Sequence, residues 1–427
     1  MQRKTFLLIS LVFGFSVAAL SQVNNPVYFK GASKENRSKL HRIIIQNSIT
    51  GNFSLPLNED TEENWMDAFG AMELVRYRSP AADAKIRTAM DSIAKRSTDF
   101  QRSLLELAYT LYPNTFIKQV SLFLKNCSDA KPFAMAVEYL KLSIKNPLAG
   151  LSFSNKQQQL VKSEKDEAIF HQLNDRMRFP LPPVKSLSPA NFTSTDFLPD
   201  QTVLFSFQRK NRNYPGIAVI RDDQGDFVRD EKGNIFSVPQ LARSINNLPG
   251  YLTNGNTPQG IFRMYGFDTS KSSFIGPTTN IQLTMPFETS VQHFLNDSTI
   301  TDSVWTEHLY KKLLPARLRN YLPLYESFYA GKAGRTEIIA HGTTVDPQYY
   351  LGQPYYPQTP TMGCLCTKEI WSDVDGKRLE SDQQKLAAAL EKAGGANGYC
   401  VVIELDDTPK PVTLAEIILY LKPITSK

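Results

Sequence analysis

The sequence predicts an α+β protein, built from an α-helical N-terminal domain and a mainly β domain with inserted helices. Three observations support this. The chain has 427 residues, more than one compact domain usually contains. Apolar residues recur at helical spacing up to about residue 178, whereas strand-like runs separated by turns dominate after residue 200. With 41% hydrophobic and 21% charged residues, the composition is globular and excludes disordered, collagen-like and coiled-coil chains.

Residues 1–21 have the pattern of a secretory signal peptide. Arg3 and Lys4 precede an apolar run over residues 6–19, and Ala19 and Ser21 supply the small residues of a cleavage site. A spanning helix needs roughly 20 apolar residues, so cleavage is favoured over the alternative of a membrane anchor. We expect an exported protein of the periplasm or cell envelope.

Residues 22–178 are predicted to form the α-helical domain. Ser79 and Pro80 provide an N-cap followed by proline at the first helical position. Similar amphipathic helices open at Phe100 and Phe133, which suggests stacked helical hairpins; an irregular bundle is the alternative. Residues 179–200 are rich in proline, serine and threonine and are predicted to form a linker.

Residues 201–427 are predicted to form the mainly β domain. Six runs rich in β-branched and aromatic residues predict strands, at 203–207, 216–220, 261–265, 281–285, 337–340 and 401–404. A capping box from Ser381 to Gln384 opens a helix that ends at Gly394, and a second box at Thr413 opens a C-terminal helix. Residues 305–329 also have a helical pattern.

The charge pattern excludes several function classes. There are 48 Lys and Arg residues against 42 Asp and Glu, a net charge of +6. This mild excess suits work near an anionic polymer, but it forms no basic stripe, so we expect no nucleic-acid partner. Phosphate-loop and Ser-His-Asp patterns are missing from the sequence, and we expect no cofactor. Four cysteines are too few for a disulfide scaffold.

The residues that suggest chemistry are His341 and Cys364. A predicted strand ends in His341-Gly342, and after a loop the chain reads Gly363-Cys364. A cysteine attacks as the thiolate, and a neighbouring imidazole can take its proton. Glycine before the cysteine permits a tight turn, which would aim the N–H groups of Gly363 and Cys364 at a developing oxyanion.

Three segments occur in the order found in one enzyme family: Thr257-Pro-Gln-Gly-Ile-Phe262, His341-Gly-Thr343 and Thr361-Met-Gly-Cys-Leu365. Together they resemble the catalytic domain of the bacterial L,D-transpeptidases, cysteine enzymes that remodel peptidoglycan. The resemblance covers residues 203–404. The sequence departs from the family at Met362, where His is usual, and at Cys366, where Arg is usual. The loop between His341 and Cys364 is longer than usual and rich in tyrosine.

The resemblance implies a fold, a reaction and a set of roles. Cys364 would attack the carbonyl between positions three and four of a tetrapeptide stem, and His341 would protonate the leaving D-Ala. Thr361 and Met362 would belong to the nucleophile loop, with Thr361 bracing it, and Gly363 would supply an oxyanion-hole N–H. An acceptor amine makes the enzyme a transpeptidase, and water makes it an L,D-carboxypeptidase. Peptidoglycan stem peptides are the implied partner, and the helical domain is a candidate surface for glycan or a protein.

Other interpretations of the cysteines remain open at this stage. Cys364 is alternatively a buried structural cysteine, in a cell-wall binding module without catalysis. Cys366 is interpreted as structural; the alternatives are a second nucleophile, a resolving thiol and a disulfide partner of Cys400, which an oxidising compartment would favour. His341 and the three cysteines have ligand types suited to zinc, but a Cys-x-Cys pair is a poor clamp, and we expect no metal.

Candidate substrate-binding residues lie outside these motifs. Tyr349 and Tyr355, in the tyrosine-rich loop, are candidates for stacking on sugar rings, and the alternative is that they pack an irregular loop. Arg263 and Arg335 are candidates for binding a stem carboxylate, and the alternative is that they are solvated charges at strand ends.

Overall fold

The computed structural model describes residues 26–145, 147–148, 153–177 and 189–421. Helices dominate this part of the chain up to residue 177, and a large mixed sheet follows. The α+β class predicted from the sequence is therefore confirmed. The predicted leader and residues 179–188 of the predicted linker lie outside the described residues. Within the described ranges, no helix is both long enough and apolar enough to cross a membrane.

In the part of the chain that the structure describes, nine α-helices precede the predicted linker and six follow its start. In chain order they are α1 (Lys34–Ile43), α2 (Asn52–Ser54), α3 (Glu62–Val75), α4 (Pro80–Asp91), α5 (Thr98–Leu111), α6 (Ile117–Asn126), α7 (Ala130–Lys141), α8 (Phe153–Leu160), α9 (Glu164–Met177), α10 (Ala190–Thr193), α11 (Val291–Leu295), α12 (Glu307–Lys311), α13 (Glu326–Lys332), α14 (Asp382–Lys392) and α15 (Leu414–Ile417). A π-helical segment, Ile44–Gly51, continues α1.

Capping residues place several helix starts where the sequence predicts them. The Ser79 hydroxyl accepts a hydrogen bond from the Ala82 N–H at 3.2 Å, with Pro80 at the first position of α4. The Ser381 hydroxyl accepts from the Gln384 N–H at 2.9 Å at the start of α14. Each bond satisfies one N–H group that the first helical turn leaves unpaired.

Ten strands among the described residues form one large sheet and one hairpin. They are β1 (Val203–Gln208), β2 (Gly216–Arg221), β3 (Val238–Gln240), β4 (Gly260–Thr269), β5 (Thr279–Thr284), β6 (Ile339–His341), β7 (Leu365–Cys366), β8 (Glu369–Trp371), β9 (Arg378–Ser381) and β10 (Tyr399–Glu404). The large sheet has the order β3-β2-β1-β10-β4-β5-β6-β7, and β8 pairs with β9. The pairs β1–β10 and β6–β7 are parallel, and the other pairs are antiparallel.

The large sheet curls until its two edges meet. Leu241, which follows β3, exchanges two main-chain hydrogen bonds with Cys366 of β7, at 2.7 and 2.8 Å. The eight strands therefore form a near-barrel, and few edge groups are left open. One consequence is that β7 lies between β6 on one side and the segment after β3 on the other.

The helical part and the sheet are packed through one continuous apolar core. This core includes Phe69 and Phe133 from the helices and Phe205 and Val401 from the sheet. The other sheet face packs against α14 through a second cluster, which includes Leu386.

The loop 246–256, called the bracing loop below, lies where the helices meet the sheet. Its side chains contact α5 and α7, which belong to the helical part. Three hydrogen bonds join them: Lys131 Nζ to Thr253 Oγ1 (2.8 Å), Asn254 Nδ2 to Glu106 (3.3 Å) and Tyr251 OH to Glu138 (3.2 Å). The helical part therefore fixes a loop of the sheet part directly.

Two predictions in the second half of the chain are wrong in detail. Residues 305–329 contain only the short helix α12, a 3₁₀ turn and the start of α13, because prolines at 315 and 323 interrupt the pattern. The helix predicted to open at Thr413 does begin there, as α15, but the capping box is not formed. The Glu416 N–H donates to the Thr413 carbonyl at 3.1 Å and not to its hydroxyl, and the Glu416 side chain pairs with the buried Arg209.

Candidate active site

The segment 361–364, called the nucleophile loop below, is held by hydroxyl groups. Thr361 Oγ1 donates to the Cys364 carbonyl at 2.9 Å and accepts from the Gly363 N–H at 3.0 Å. Thr257 Oγ1, from the Thr-Pro-x-Gly segment, donates to the Gly363 carbonyl at 2.8 Å. Two threonines from distant parts of the sequence therefore fix the turn that presents Cys364.

Gly363 is required at its position for two separate reasons. Its φ of +114° lies in a region that side-chain-bearing residues rarely adopt. A Cβ atom there would lie 1.8 Å from Arg335 Nη2 and 2.5 Å from the Gly255 carbonyl oxygen. A side chain would therefore strain the backbone and displace the guanidinium of Arg335.

The Cys364 thiol is half-buried and lies against the start of β6. Its S–H donates to the Glu337 carbonyl at 3.6 Å, and the Ile339 N–H donates to Sγ at 3.5 Å. Burial raises the pKa of the thiol, and the Glu337 and Glu288 carboxylates raise it as well. The Ile339 N–H and the charge of Arg335 lower the thiol pKa.

His341, the last residue of β6, is buried as a neutral ring. Its Nδ1 is hydrogen-bonded to the carbonyl of Gly342. A carbonyl only accepts, so Nδ1 carries the proton and Nε2 holds the lone pair in the neutral ring. Burial lowers the pKa of His341 to about 4, against the smaller effect of the Gly342 carbonyl. No other bond to this ring occurs among the described residues, so Nε2 remains available as a base.

The structure places Cys364 just before β7 and His341 at the end of the neighbouring strand β6, without a direct hydrogen bond between them. Ala340 pairs with Leu365, and His341 pairs with Cys366, in the parallel β6–β7 ladder. Cys364 precedes the first paired residue, and its sulfur lies against the main chain of Glu337 and Ile339, two residues or more before His341. Within the described ranges, no hydrogen bond joins Sγ to the imidazole.

Glu369 supports the His341-Gly342 turn from β8. Its Oε2 accepts from the Thr343 N–H at 3.0 Å, and its Oε1 accepts from the Thr278 and Ser381 hydroxyls at 2.5 and 2.6 Å. A Cβ on Gly342 would lie 2.3 Å from Glu369 Cδ, which explains the glycine after His341. Sequence reasoning missed Glu369, because nothing nearby in the sequence distinguishes it from a solvent-facing strand residue.

The Gly363 N–H, one of the two expected oxyanion donors, is hydrogen-bonded within the nucleophile loop. The Gly363 N–H donates to Thr361 Oγ1, so the prediction that it faces a developing oxyanion is wrong. The physical reason is local, since a threonine two residues earlier competes for that N–H. The Cys364 N–H takes part in none of the hydrogen bonds found among the described residues, and it becomes the remaining main-chain donor of the loop.

The predicted substrate-binding residues lie elsewhere. Arg263 stacks over Tyr399 at 5.0 Å and donates to Gln201, so its guanidinium is used inside the fold. Tyr355 is fully buried beneath Arg243. These two residues are corrections to the prediction, because packing removes them from the surface.

Tyr349 supports the alternative of loop packing. Its ring lies 5.5 Å from that of His41 in α1, and burial raises its pKa to about 12. The tyrosine-rich loop is thus attached to the helical part at this position. The candidate Arg335, in contrast, lies beside Cys364, but it is buried and donates to main-chain carbonyls.

Met362 and Cys366, the two positions where the sequence departs from the family pattern, differ in their exposure to solvent. The Met362 side chain is 64% exposed at the tip of the nucleophile loop, whereas Cys366 is fully buried.

All four cysteines are free, so a Cys366–Cys400 disulfide is not formed. The reason is topological: β10, which holds Cys400, is separated from β7 by three strands. Among the described residues, no group of three or more potential His, Cys, Asp or Glu ligands converges on one point.

No family model, curated protein or solved structure matches this chain. The interpretation of the site therefore depends on the geometry given above and on the motif order in the sequence.

Proposed function

We propose that the chain is a cysteine acyltransferase of the L,D-transpeptidase type that acts on tetrapeptide stems of peptidoglycan. Cys364 is the nucleophile and His341 is the base. One observation supports this most: a glycine-dependent turn presents a thiol next to a strand that ends in a neutral, carbonyl-oriented imidazole. The motif order that resembles the family supplies the substrate class.

In the first half of the reaction, His341 Nε2 takes the Cys364 proton and Sγ attacks the stem carbonyl carbon. The carbonyl oxygen becomes an oxyanion, for which the Cys364 N–H of the nucleophile loop is a donor. The intermediate collapses as the C–N bond breaks. Nε2 returns the proton to the leaving D-Ala amine, and a thioester remains on Cys364.

In the second half, an acceptor amine attacks the thioester and gives a proton to Nε2, and Cys364 leaves as the thiolate. A stem amine as acceptor forms a crosslink. Water as acceptor would make the same site an L,D-carboxypeptidase, and a side-chain amide as substrate would make it an amidase. The neutral form of His341 suits both halves, because the ring must first accept a proton.

A second candidate is a cell-wall binding module without catalysis. The specific observation in its favour is that the thiol donates to the Glu337 carbonyl and not to the imidazole. Burial and two neighbouring carboxylates also raise the thiol pKa. In that case Met362 and Cys366 mark the positions where the catalytic pattern has been lost.

We propose the cell envelope as the place of action, because the leader pattern and the substrate class agree on it. The helical part has an internal role in this proposal, since α5 and α7 hold the bracing loop beside the site. A contact with glycan or a protein partner would use other helices of this part, because α7 is buried from Pro132 to Leu140.

The test is product analysis with purified residues 22–427 and tetrapeptide muropeptides, under reducing conditions. Wild type should release D-Ala and form crosslinked dimers, while C364A and H341Q should form neither. Cys127, a buried cysteine of the helical part, provides a matched control, and C127S should keep wild-type activity. Release of D-Ala without dimers would indicate the carboxypeptidase. Binding without any turnover by a folded wild type would indicate the binding module.

A further inference from the structure

Arg335 is a buried cation whose partners are all neutral. It follows α13, and its side chain donates to the carbonyl of Gly250 and to those of Asn256 (2.6 Å) and Gly255 (2.5 Å) in the bracing loop. Only 5% of the residue is exposed. None of the ion pairs among the described residues includes Arg335. A buried charge is costly unless hydrogen bonds and an opposite charge compensate it. The carbonyls supply the hydrogen bonds of Arg335, and an anion beside it would gain from its charge.

The nearest source of that anion is the nucleophile loop. The Nη2 atom occupies the space next to Gly363 where a Cβ would lie, one residue before Cys364. Burial lowers the pKa of Arg335 to about 10, and Cys364 is the ionisable neighbour that raises it against this larger effect. The effect is mutual, since the charge of Arg335 lowers the thiol pKa.

The other charged groups around the thiol do not take this role. Glu288 and Glu337 are both acidic and oppose a thiolate. His341 is neutral at physiological pH, because burial lowers its pKa to about 4. Among these groups, the positive charge that would stabilise a Cys364 thiolate is the guanidinium of Arg335, which is held by the bracing loop.

We propose that Arg335 is the counter-ion of the Cys364 thiolate and a positioning residue of the nucleophile loop. This inference depends on Cys364 acting as a nucleophile, as in the proposed function. Three carbonyls hold the guanidinium in place, so the charge is present before substrate arrives.

The experiment measures the thiol pKa without any substrate. Native protein is alkylated with iodoacetamide across a pH series, and mass spectrometry of peptides counts modification at Cys364 alone. R335Q should raise the apparent pKa by about one unit, which lowers the rate at pH 7 roughly tenfold. R335K keeps a positive charge and should lower the rate less than about threefold.

Arg221 supplies the matched control. It is 1% exposed, it donates to main-chain carbonyls that include those of Phe197 (2.6 Å) and Leu198 (2.9 Å), and burial lowers its pKa to about 10. It lies on β2, away from the thiol. R221Q should therefore leave the alkylation profile of Cys364 unchanged.

A folded R335Q with the wild-type profile would overturn the proposal. If R335Q does not show the native circular dichroism spectrum, the test uses R335K instead. A folded R335K whose Cys364 is alkylated about ten times more slowly than in the wild type at pH 7 would overturn the counter-ion role. Alkylation needs no muropeptide, so its outcome is separate from the proposed function. A thiol that responds to R335Q in a protein without turnover would contradict only the transpeptidase assignment.

Discussion

The substitution Gly363→Ala tests the geometry of the nucleophile loop, because it changes both the backbone strain and the contact with Arg335. The φ of +114° at this position costs a residue with a side chain about 1–3 kcal/mol. The new methyl group would also lie 1.8 Å from Arg335 Nη2, so the guanidinium must move. Hydrogen bonds to a charged group each contribute about 1.5–3 kcal/mol, and at least one of those to the bracing loop would be lost.

The expected loss for G363A is therefore about 2.5–6 kcal/mol in the free energy of unfolding. Gly266 provides a control with nearly the same backbone, since its φ is +122° and no atom lies within 4 Å of the position that a Cβ would take. G266A should show the backbone strain alone, about 1–3 kcal/mol. The difference between the two variants measures the displacement of Arg335.

The assay is urea unfolding followed by circular dichroism, together with native alkylation of Cys364. G363A should be the less stable variant by about 1.5 kcal/mol or more and should show a changed alkylation rate. Equal losses for G363A and G266A would refute the contact between the loop and Arg335. An unchanged alkylation rate in a destabilised G363A would refute the claim that this turn positions the thiol.

Three further predictions concern charge and burial. His341 has its pKa lowered to about 4 from a usual 6.5, so the unfolded chain binds the proton first as pH falls; wild type should lose about 3 kcal/mol of stability between pH 7 and pH 4. Urea unfolding across this range should show a clearly smaller loss in H341Q, and equal losses would contradict the buried neutral ring. The Glu337 carboxylate opposes the thiolate charge, so E337Q should raise the alkylation rate of Cys364 at pH 7 about twofold, whereas the exposed, distant Glu391 serves as the control and E391Q should have no effect. Glu138 is 2% exposed and accepts from Arg176 at 2.7 Å and from the Tyr251 hydroxyl at 3.2 Å. The Arg176 side chain is 42% exposed and is solvated without its partner, so E138A should cost about 1–3 kcal/mol in urea unfolding; no measurable loss would show that this pair does not stabilise the packing of α7 on α9.

Elements with local patterns were predictable from the sequence. The run at 216–220 is apolar and bounded by turn residues, and it forms β2, Gly216–Arg221. The capping residue Ser381 fixes the start of α14. In contrast, β7 has two residues and is defined by its pairing with β6 and with Leu241. Such a strand depends on contacts between distant residues, and no local pattern predicts it.

The same distinction applies to the candidate site. The motif order placed Cys364 beside the strand that ends at His341, because a glycine turn and a strand end are local features. The positions of Arg335 and Glu369 were not predictable, since each acts across the fold on a glycine of a motif. The burial of Tyr355 was also not predictable from the sequence. A tyrosine-rich loop has the same composition whether its side chains bind sugar or pack in the protein interior.

The most direct measurement of the central claim is the intact mass of the reduced protein after incubation with tetrapeptide muropeptide. Wild type should gain the mass of the acyl donor minus D-Ala, and fragment masses should place it on Cys364. C364A should gain no adduct, and C127S should match the wild type. An adduct of the same size in C364A, or its absence from a folded wild type that binds the muropeptide, would contradict a Cys364 acyl-enzyme.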